Sequence, residues 1–317
     1  MTDTQNEVFK TPVNKIRLFE HGAPGSQNLK LTRKYYTEDM PDGRAKHIVQ
    51  NITDPDIVPY IPDGIGNSTD RQRIPAVLII PGGAFRRLVY NFEGEDVAKW
   101  LNSMGIAAFV LECRLPSDEH DNAEDVPLID AMRAMRVIRG RAQEFGIDEA
   151  KIGVMGFSAG GFMAALLSTA YESDVYADYK YKDEYDKLSA RPDFAVCSYP
   201  VISIDDCIEA GKRYMSEEQV LERISDSKAK ILHKYNPDKL VRPDMPPVFI
   251  CETDDDRTTL SENSVGFYMA ARKAGVSAEL HIFRTGGHGY GCGDDFAQTG
   301  EWKVLFTKWI KSIGIIS

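Results

Sequence analysis

KIGVMGFSAGGFMAALL, residues 151–167, passes from an apolar strand through a tight turn into a helix of small residues. Lys151 to Phe157 reads as a strand buried on both faces. At its end stands Gly156-Phe157-Ser158-Ala159-Gly160, a G-x-S-x-G pattern. A serine at such a turn sits on strained backbone angles, and the flanking glycines remove side chains that would clash. The helix that follows directs the partial positive charge of its amino end at the same point. A bare G-x-S-x-G also occurs in ordinary Gly-rich packing turns. Its position between strand and helix marks Ser158 as a nucleophile.

The alternation continues on both sides. Pro75 to Pro81 (PAVLIIP) is an apolar run that ends in Gly82-Gly83, and Ile106 to Glu112 is another. Asp193 to Tyr199, Pro247 to Glu252 and Ala278 to Phe283 also read as strands. Helices are expected around Glu93 to Met104, Pro127 to Phe145, Ser261 to Ala274 and Glu301 to Ile313. Over Pro127 to Phe145 the residues Leu128, Ile129, Met132, Met135 and Ile138 fall at helical spacing. Such alternation implies an α/β fold, a mostly parallel central sheet with helices on both faces.

We expect one α/β domain over residues 1–317. Residues 1–70 are rich in Pro, Gly, Asp and Asn and read as peripheral strands and loops, with strand-like pieces at Lys15 to Leu18 and Asp56 to Tyr60. Between residues 171 and 246 the alternation weakens. Tyr171 to Lys187 is crowded with Asp, Tyr and Lys, and Ile204 to Lys239 is amphipathic and helical. This stretch reads as an insertion near the sheet's carboxyl edge, forming a small lid.

Composition limits the partners. The chain has 317 residues, 43% of them hydrophobic, enough for a full core. A net charge of −10 argues against a phosphate backbone and against an anionic membrane surface. No run approaches the ~20 apolar residues of a membrane span. Met1 to Lys10 is polar and has no leader-like apolar core. Cys113, Cys197, Cys207, Cys251 and Cys292 are odd in number and widely spaced, so neither a disulfide framework nor a zinc knuckle is suggested. The expected compartment is a reducing cytoplasm, where the Asn-x-Ser/Thr triplets at Asn51 and Asn67 carry no meaning.

A nucleophilic serine needs partners. Pro81-Gly82-Gly83-Ala84 ends an earlier strand, where backbone N–H donors can meet a developing oxyanion. The amides of Gly83, Ala84 and Ala159 are the candidates. Six histidines compete for the base. His21 and His47 precede the core, His120 sits among acids, His233 lies in the insertion and His281 in mid-strand. His288, in Gly286-Gly287-His288-Gly289-Tyr290 just after a strand, is free to lean over the sheet edge. The acid should lie between serine and histidine. Glu252 ends a strand and Asp254-Asp255-Asp256 follow, and spacing does not choose among these three aspartates.

The remaining clusters are bland. Asp118 to Asp125 lacks the glycine and ligand alternation of a calcium loop. No metal site, dinucleotide fingerprint or P-loop appears, and no cofactor is expected. The Tyr171 to Tyr185 run could stack on sugar rings but reads more simply as a surface loop.

Several runs together carry a family resemblance: PGGAFRRL, NFEGEDVAKWLNSMGIAAFVLECRLP, PLIDAMRAMRVIRGRAQEFGID, KIGVMGFSAGGFMAA, SARPDFAVCSYPVIS, NSVGFYMAARKAGVSAELHIF and GGHGYG. In this order, from about Asn51 to the carboxyl end, they resemble bacterial acetyl-xylan-esterase-like α/β hydrolases. That group is similar to the feruloyl-esterase-type members of the dienelactone-hydrolase and prolyl-oligopeptidase-like clan. The resemblance implies an α/β-hydrolase fold and a Ser158–His288–Asp256 triad. Asp256 is favoured because Glu262-Asn263-Ser264 sets the register, and Asp255 is the runner-up. The family's Val and Pro are replaced by Thr258, Thr259 and Leu260.

Ala84 stands where relatives often have a third glycine, and its methyl is expected to narrow the acyl side of the pocket. Phe162 and Met163 replace a His-Leu pair, a packing change. Glu93 and Arg114, which match the family's E-G and R-L-P motifs, are expected to form a buried pair under the site. The implied activity is acyl-ester hydrolysis, with a small-molecule ester, an acetylated sugar or xylo-oligosaccharide, as partner and a homo-oligomer allowed. A general short-chain carboxylesterase, a prolyl-oligopeptidase-like peptidase or amidase, and an inactive ligand-binding hydrolase are the rivals.

Overall fold

All residues of the run 107–112 are buried, and so are all but the first of the run 74–80, as strands covered on both faces require. Each buried Val, Leu or Ile among them contributes roughly 1.5–3 kcal/mol. The computed structural model describes the chain apart from residues 1–8, 10–11, 41–42, 66–72, 214, 224–225 and 294–296. The triplet at Asn67 lies outside the described residues.

In chain order the first strands are β1 (Ile16–Arg17), β2 (Lys34–Asp39), β3 (Ala45–Gln50), β4 (Asp56–Tyr60), β5 (Ile74–Ile80) and β6 (Leu88–Val89). A single π-turn, Asn91–Glu95, leads into α1 (Asp96–Ser103), followed by β7 (Ala107–Glu112), α2 (Val126–Gly140), α3 (Ala142–Phe145), β8 (Ile147–Phe157) and α4 (Ala159–Ala170). Next come β9 (Ala195–Ser198), α5 (Ile204–Lys212), α6 (Glu217–Arg223) and α7 (Asp226–Lys234). The chain closes with β10 (Val248–Thr253), α8 (Ser261–Lys273), β11 (Ala278–Phe283), α9 (Ala297–Gly300) and α10 (Trp302–Ser312).

Eight strands form the main sheet in the order β1-β4-β7-β5-β8-β9-β10-β11. The pairs β1/β4 and β4/β7 are antiparallel and the other pairs are parallel. The expected α/β sheet is therefore present, and two strand-like pieces of the first seventy residues join its edge. Strands β2 and β3 of the peripheral segment also form a small antiparallel sheet with β6, which hydropathy did not flag. Its KYYTED and AKHIVQ strands are half-exposed and carry no continuous apolar run.

Helices cover the sheet in two groups. α1 and α10 meet through Trp100 and Trp302, whose rings lie 4.9 Å apart, and α2 packs with α4. Helical spacing over 204–239 resolves into three short helices and a 3₁₀ turn. α5 starts beside the serine turn, where Val201 N–H donates to Ser158 O at 3.3 Å. At the far end Lys234 and Tyr235 bond to Asp125 ahead of α2. The tyrosine-rich run is tied down beside α2: Arg133 bonds to Asp183 and Asp186, and Tyr179 bonds to Gly22 O. Among the described residues, no helix is long and apolar enough to cross a membrane.

Candidate active site

Ser158 is the residue between β8 and α4, with φ 53° and ψ −117°. A non-glycine residue held there costs on the order of 1–3 kcal/mol. The surroundings fix it: Ser158 N–H donates to Ser198 O at 3.0 Å, and Ser158 O accepts from Phe162 N–H at 3.0 Å. The turn is too tight for side chains on either flank. A Cβ on Gly160 would lie 1.9 Å from Ile80 O, and one on Gly156 would lie 1.9 Å from Gly160 O. Ser158 caps α4 only in position, since its hydroxyl makes no capping bond. It reaches His288 instead.

Ser158 Oγ lies 2.9 Å from His288 Nε2, and His288 Nδ1 lies 2.6 Å from Asp256 Oδ2. The other histidines are engaged elsewhere or exposed. His120 meets Ser26, His281 meets Glu279, His47 stacks on Phe9, His21 packs on Tyr181, and His233 is exposed. Asp256 is buried, and its Oδ1 accepts the amides of Thr258 and Thr259 at 2.7 and 2.9 Å. The Thr259 hydroxyl donates to its Oδ2 at 2.9 Å. Burial pushes this carboxyl up, but the bonds from His288, Thr259 and Thr258 outweigh it and hold the pKa below the usual carboxylate value. The threonines that depart from the family pattern are thus the residues that clasp the acid.

The neighbouring acids have other tasks. Asp255 Oδ1 accepts the amides of Gly286 and Gly287 at 2.9 and 2.8 Å. Asp254 is exposed. Glu252 is buried, accepts from Ser264 Oγ at 3.2 Å, and is pushed well above the usual range by burial and then by the charge of Asp256.

The loop after β5 runs against the serine. A Cβ on Gly82 would lie 2.9 Å from Ser158 Cβ. Gly83, Ala84 and Phe85 all have positive φ, at 138°, 58° and 61°. The Gly82 amide is taken by Glu93 Oε2 at 2.8 Å. Among the described residues, the amides of Gly83 and Ala84 have no acceptor. Ala159 opens α4, where an amide has no intrahelical acceptor. The amides of Gly83 and Ala84, in the loop that passes the serine, and of Ala159, next to it, are therefore the ones without an acceptor among the described residues. Behind this loop lies a small cavity of ≈ 20 Å³, lined in part by Gly82, Phe85, Leu115, Ala159 and Met163.

The expected Glu93–Arg114 pair does not form. Arg114 is fully buried against Asp130, with Nη2 to Oδ1 at 2.7 Å. It also bonds to Pro24 O and Ser26 Oγ. Glu93 stands in the π-turn Asn91–Glu95 and Arg114 in the loop after β7, where Asp130 of α2 meets the guanidinium. Glu93 instead accepts the Tyr199 hydroxyl at 2.9 Å. The sequence reading missed Tyr199, whose ring packs edge-on to His288 at 5.0 Å. Its only signal was a tyrosine-proline step closing a buried strand.

The chain has relatives among known proteins. A family model described as BD-FAE matches residues 65–270. An acetylxylan esterase from Xylanibacter ruminicola is 30% identical over 274 residues, 85% of this chain and 51% of that protein. Endo-1,4-beta-xylanase B of Butyrivibrio fibrisolvens is 31% identical over 227 residues, 71% of this chain and 34% of that protein. The chain thus spans about half the length of the first relative and about a third of the second. Among solved structures, an acetyl ester-xyloside bifunctional hydrolase from Caldicellulosiruptor lactoaceticus aligns with TM-score 0.72 and 35% identity, over 96% of this chain and 97% of that one. A carboxylesterase from Lactobacillus plantarum shares the fold, with TM-score 0.67, 21% identity, and coverage of 90% of this chain and 99% of that one.

Proposed function

The chain belongs to the BD-FAE family and has the α/β-hydrolase fold, and from that premise we propose that it is a serine carboxylesterase. Its substrates are small acyl esters, first of all acetylated sugars or xylo-oligosaccharides. One observation carries the chemistry: Ser158 Oγ, His288 and Asp256 lie in an unbroken hydrogen-bonded line, with distances of 2.9 and 2.6 Å.

In this reading the lone pair on His288 Nε2 takes the Ser158 proton as Oγ attacks the ester carbonyl. Asp256, kept ionised by its threonine donors, stabilises the imidazolium. The carbonyl oxygen becomes an oxyanion held by the amides of Ala159, Gly83 and Ala84. His288 then protonates the departing alcohol, leaving an acyl-enzyme. Water, deprotonated by His288, attacks the acyl carbonyl and frees Ser158.

The relatives named for acetyl esters of xylan or xylosides support the sugar substrate. The cavity of ≈ 20 Å³ behind the donor loop supports a short acyl group. Helices α5 to α7, strung from the serine turn to Asp125, are read as the lid that shapes the alcohol side. Five cysteines, odd in number and widely spaced, fit a reducing cytoplasm and with it short oligosaccharides as substrate.

The test compares wild type with Ser158→Ala on p-nitrophenyl acetate, p-nitrophenyl butyrate and acetylated xylo-oligosaccharides. Acetate release with acetyl preference, both lost in the variant, is the expected result. Activity on the chromogenic esters alone would discard the sugar substrate. Full activity in Ser158→Ala would discard the serine mechanism.

A further inference from the structure

We propose that Glu93 is a positioning residue that fastens the oxyanion loop directly, and the histidine loop through Tyr199. The inference rests on the esterase reading above. Glu93 is only 5% exposed, yet both of its oxygens are engaged. Oε2 accepts the Gly82 amide at 2.8 Å, one residue ahead of the Gly83 and Ala84 donors. Oε1 accepts the Tyr199 hydroxyl at 2.9 Å. Tyr199 Oη in turn accepts the Gly291 amide at 3.0 Å, three residues beyond His288, and the tyrosine ring packs on the imidazole. The loops after β5 and β9 therefore meet at Glu93, and the loop after β11 joins them through Tyr199.

Two local features serve this contact. Glu93 stands in the π-turn Asn91–Glu95, closed by Glu95 N–H to Tyr90 O at 2.8 Å. A π-turn inserts one residue into a helical turn and re-aims its side chains, and such turns recur at functional sites. Gly82 also admits the carboxyl, since a Cβ there would lie 2.8 Å from Glu93 Oε2. Burying a carboxyl group is costly, and burial pushes the Glu93 pKa up. A residue needed only for packing would not require two acceptors at this point. What two acceptors provide is a fixed Gly82 peptide plane, and with it a fixed direction for the next two amides.

The experiment measures Glu93→Ala, Glu93→Gln and Tyr199→Phe in the full chain beside wild type and Ser158→Ala. Active sites are counted with a phosphonate serine probe, so that misfolded protein does not enter the rate. On p-nitrophenyl acetate, Glu93→Ala should lose ~10–100-fold in kcat per counted site with KM within about 2-fold, because misdirected donors act on the transition state. Affinity for a boronic acid that forms a tetrahedral serine adduct should fall by a similar factor.

Glu93→Gln keeps an acceptor for Gly82 and should recover most of both quantities. A Glu93 that is only structural would lower the melting temperature and the number of counted sites, but leave kcat per site and boronate affinity unchanged. That result overturns the proposal. If Glu93→Ala yields no folded protein, Tyr199→Phe decides, with an expected drop of about 10-fold in kcat per site; wild-type values there overturn it equally. Activity surviving in Ser158→Ala would instead bring down the esterase reading itself.

Discussion

Asp255 Oδ1 accepts the Gly287 amide at 2.8 Å, so the residue beside the proposed acid fixes the backbone one step ahead of His288. Asp256 holds the imidazole ring and Asp255 holds the loop that carries it. Because Asp255 is exposed, its loss should act through loop geometry and hardly through stability. Asp255→Ala should lower kcat by ~10–100-fold, the scale of a misplaced catalytic group. Asp256→Asn should cost on the order of 10⁴, since the imidazole then loses the acceptor that sets its tautomer. Steady-state rates on p-nitrophenyl acetate check both. A larger loss in Asp255→Ala than in Asp256→Asn would exchange the two roles.

Thr259 supplies an amide and a hydroxyl to Asp256. Thr259→Val keeps the volume and removes the hydroxyl, a bond to a charged group worth about 1.5–3 kcal/mol. The native Asp256 carboxyl sits below its usual value. The stability it contributes is therefore present above the unfolded pKa of about 3.9 and is lost as pH falls through the lower native value. With one donor fewer, that native value rises toward the unfolded one. Thr259→Val should thus be less stable than wild type at neutral pH, and the gap should narrow below about pH 4. Urea midpoints from pH 3 to 7 measure this, and a pH-independent gap would show that the hydroxyl does not serve the ionised form.

Met163 is buried and lines the small cavity behind the donor loop. Met163→Ala removes side-chain volume from that wall. The expected result is a higher butyrate-to-acetate ratio of kcat/KM, by roughly 10-fold or more, the range of a methylene in an apolar pocket. The same change should cost about 2–5 kcal/mol in stability, as large-to-small core substitutions do. An unchanged chain-length preference would place the acyl group elsewhere.

The parallel sheet was legible because its central strands are buried on both faces and so read as unbroken apolar runs. Ser158 was legible because a nucleophile turn needs glycines at fixed offsets, where backbones pass too closely for any side chain. His288 stood out by its glycine-flanked place after the last strand. The choice among Asp254, Asp255 and Asp256 was not local, for it depends on which carboxylate meets Thr259 and the imidazole once the loop folds. The β2–β3 hairpin escaped notice because half-exposed polar strands lack a hydropathy signal. Glu93 was singled out but given the wrong partner, since a match to two family motifs does not show which buried group each charge will reach. Arg114 met Asp130, a carboxylate on the apolar-patterned helix that hydropathy does not single out.

His120 yields a test of the fold's response to acid, away from the proposed chemistry. It is 5% exposed, with Nδ1 at 3.0 Å from Ser26 Oγ. Ser26 Oγ also accepts from Arg114 at 2.8 Å, which leaves its own proton free to be donated to a neutral imidazole. Burial, and after it the Arg114 charge, push the His120 pKa down to about 4. Between about pH 6.5 and 4 the unfolded chain binds a proton here that the native protein does not. Stability therefore rises with pH through this window and is lost as pH falls. His120→Gln removes the titration: at pH 7 the variant should be less stable, having lost a buried contact, and its disadvantage should shrink as pH falls toward 4. Urea midpoints for both proteins across pH 4 to 7.5 are the measurement, and a constant difference over that range would mean that the native imidazole is not held neutral.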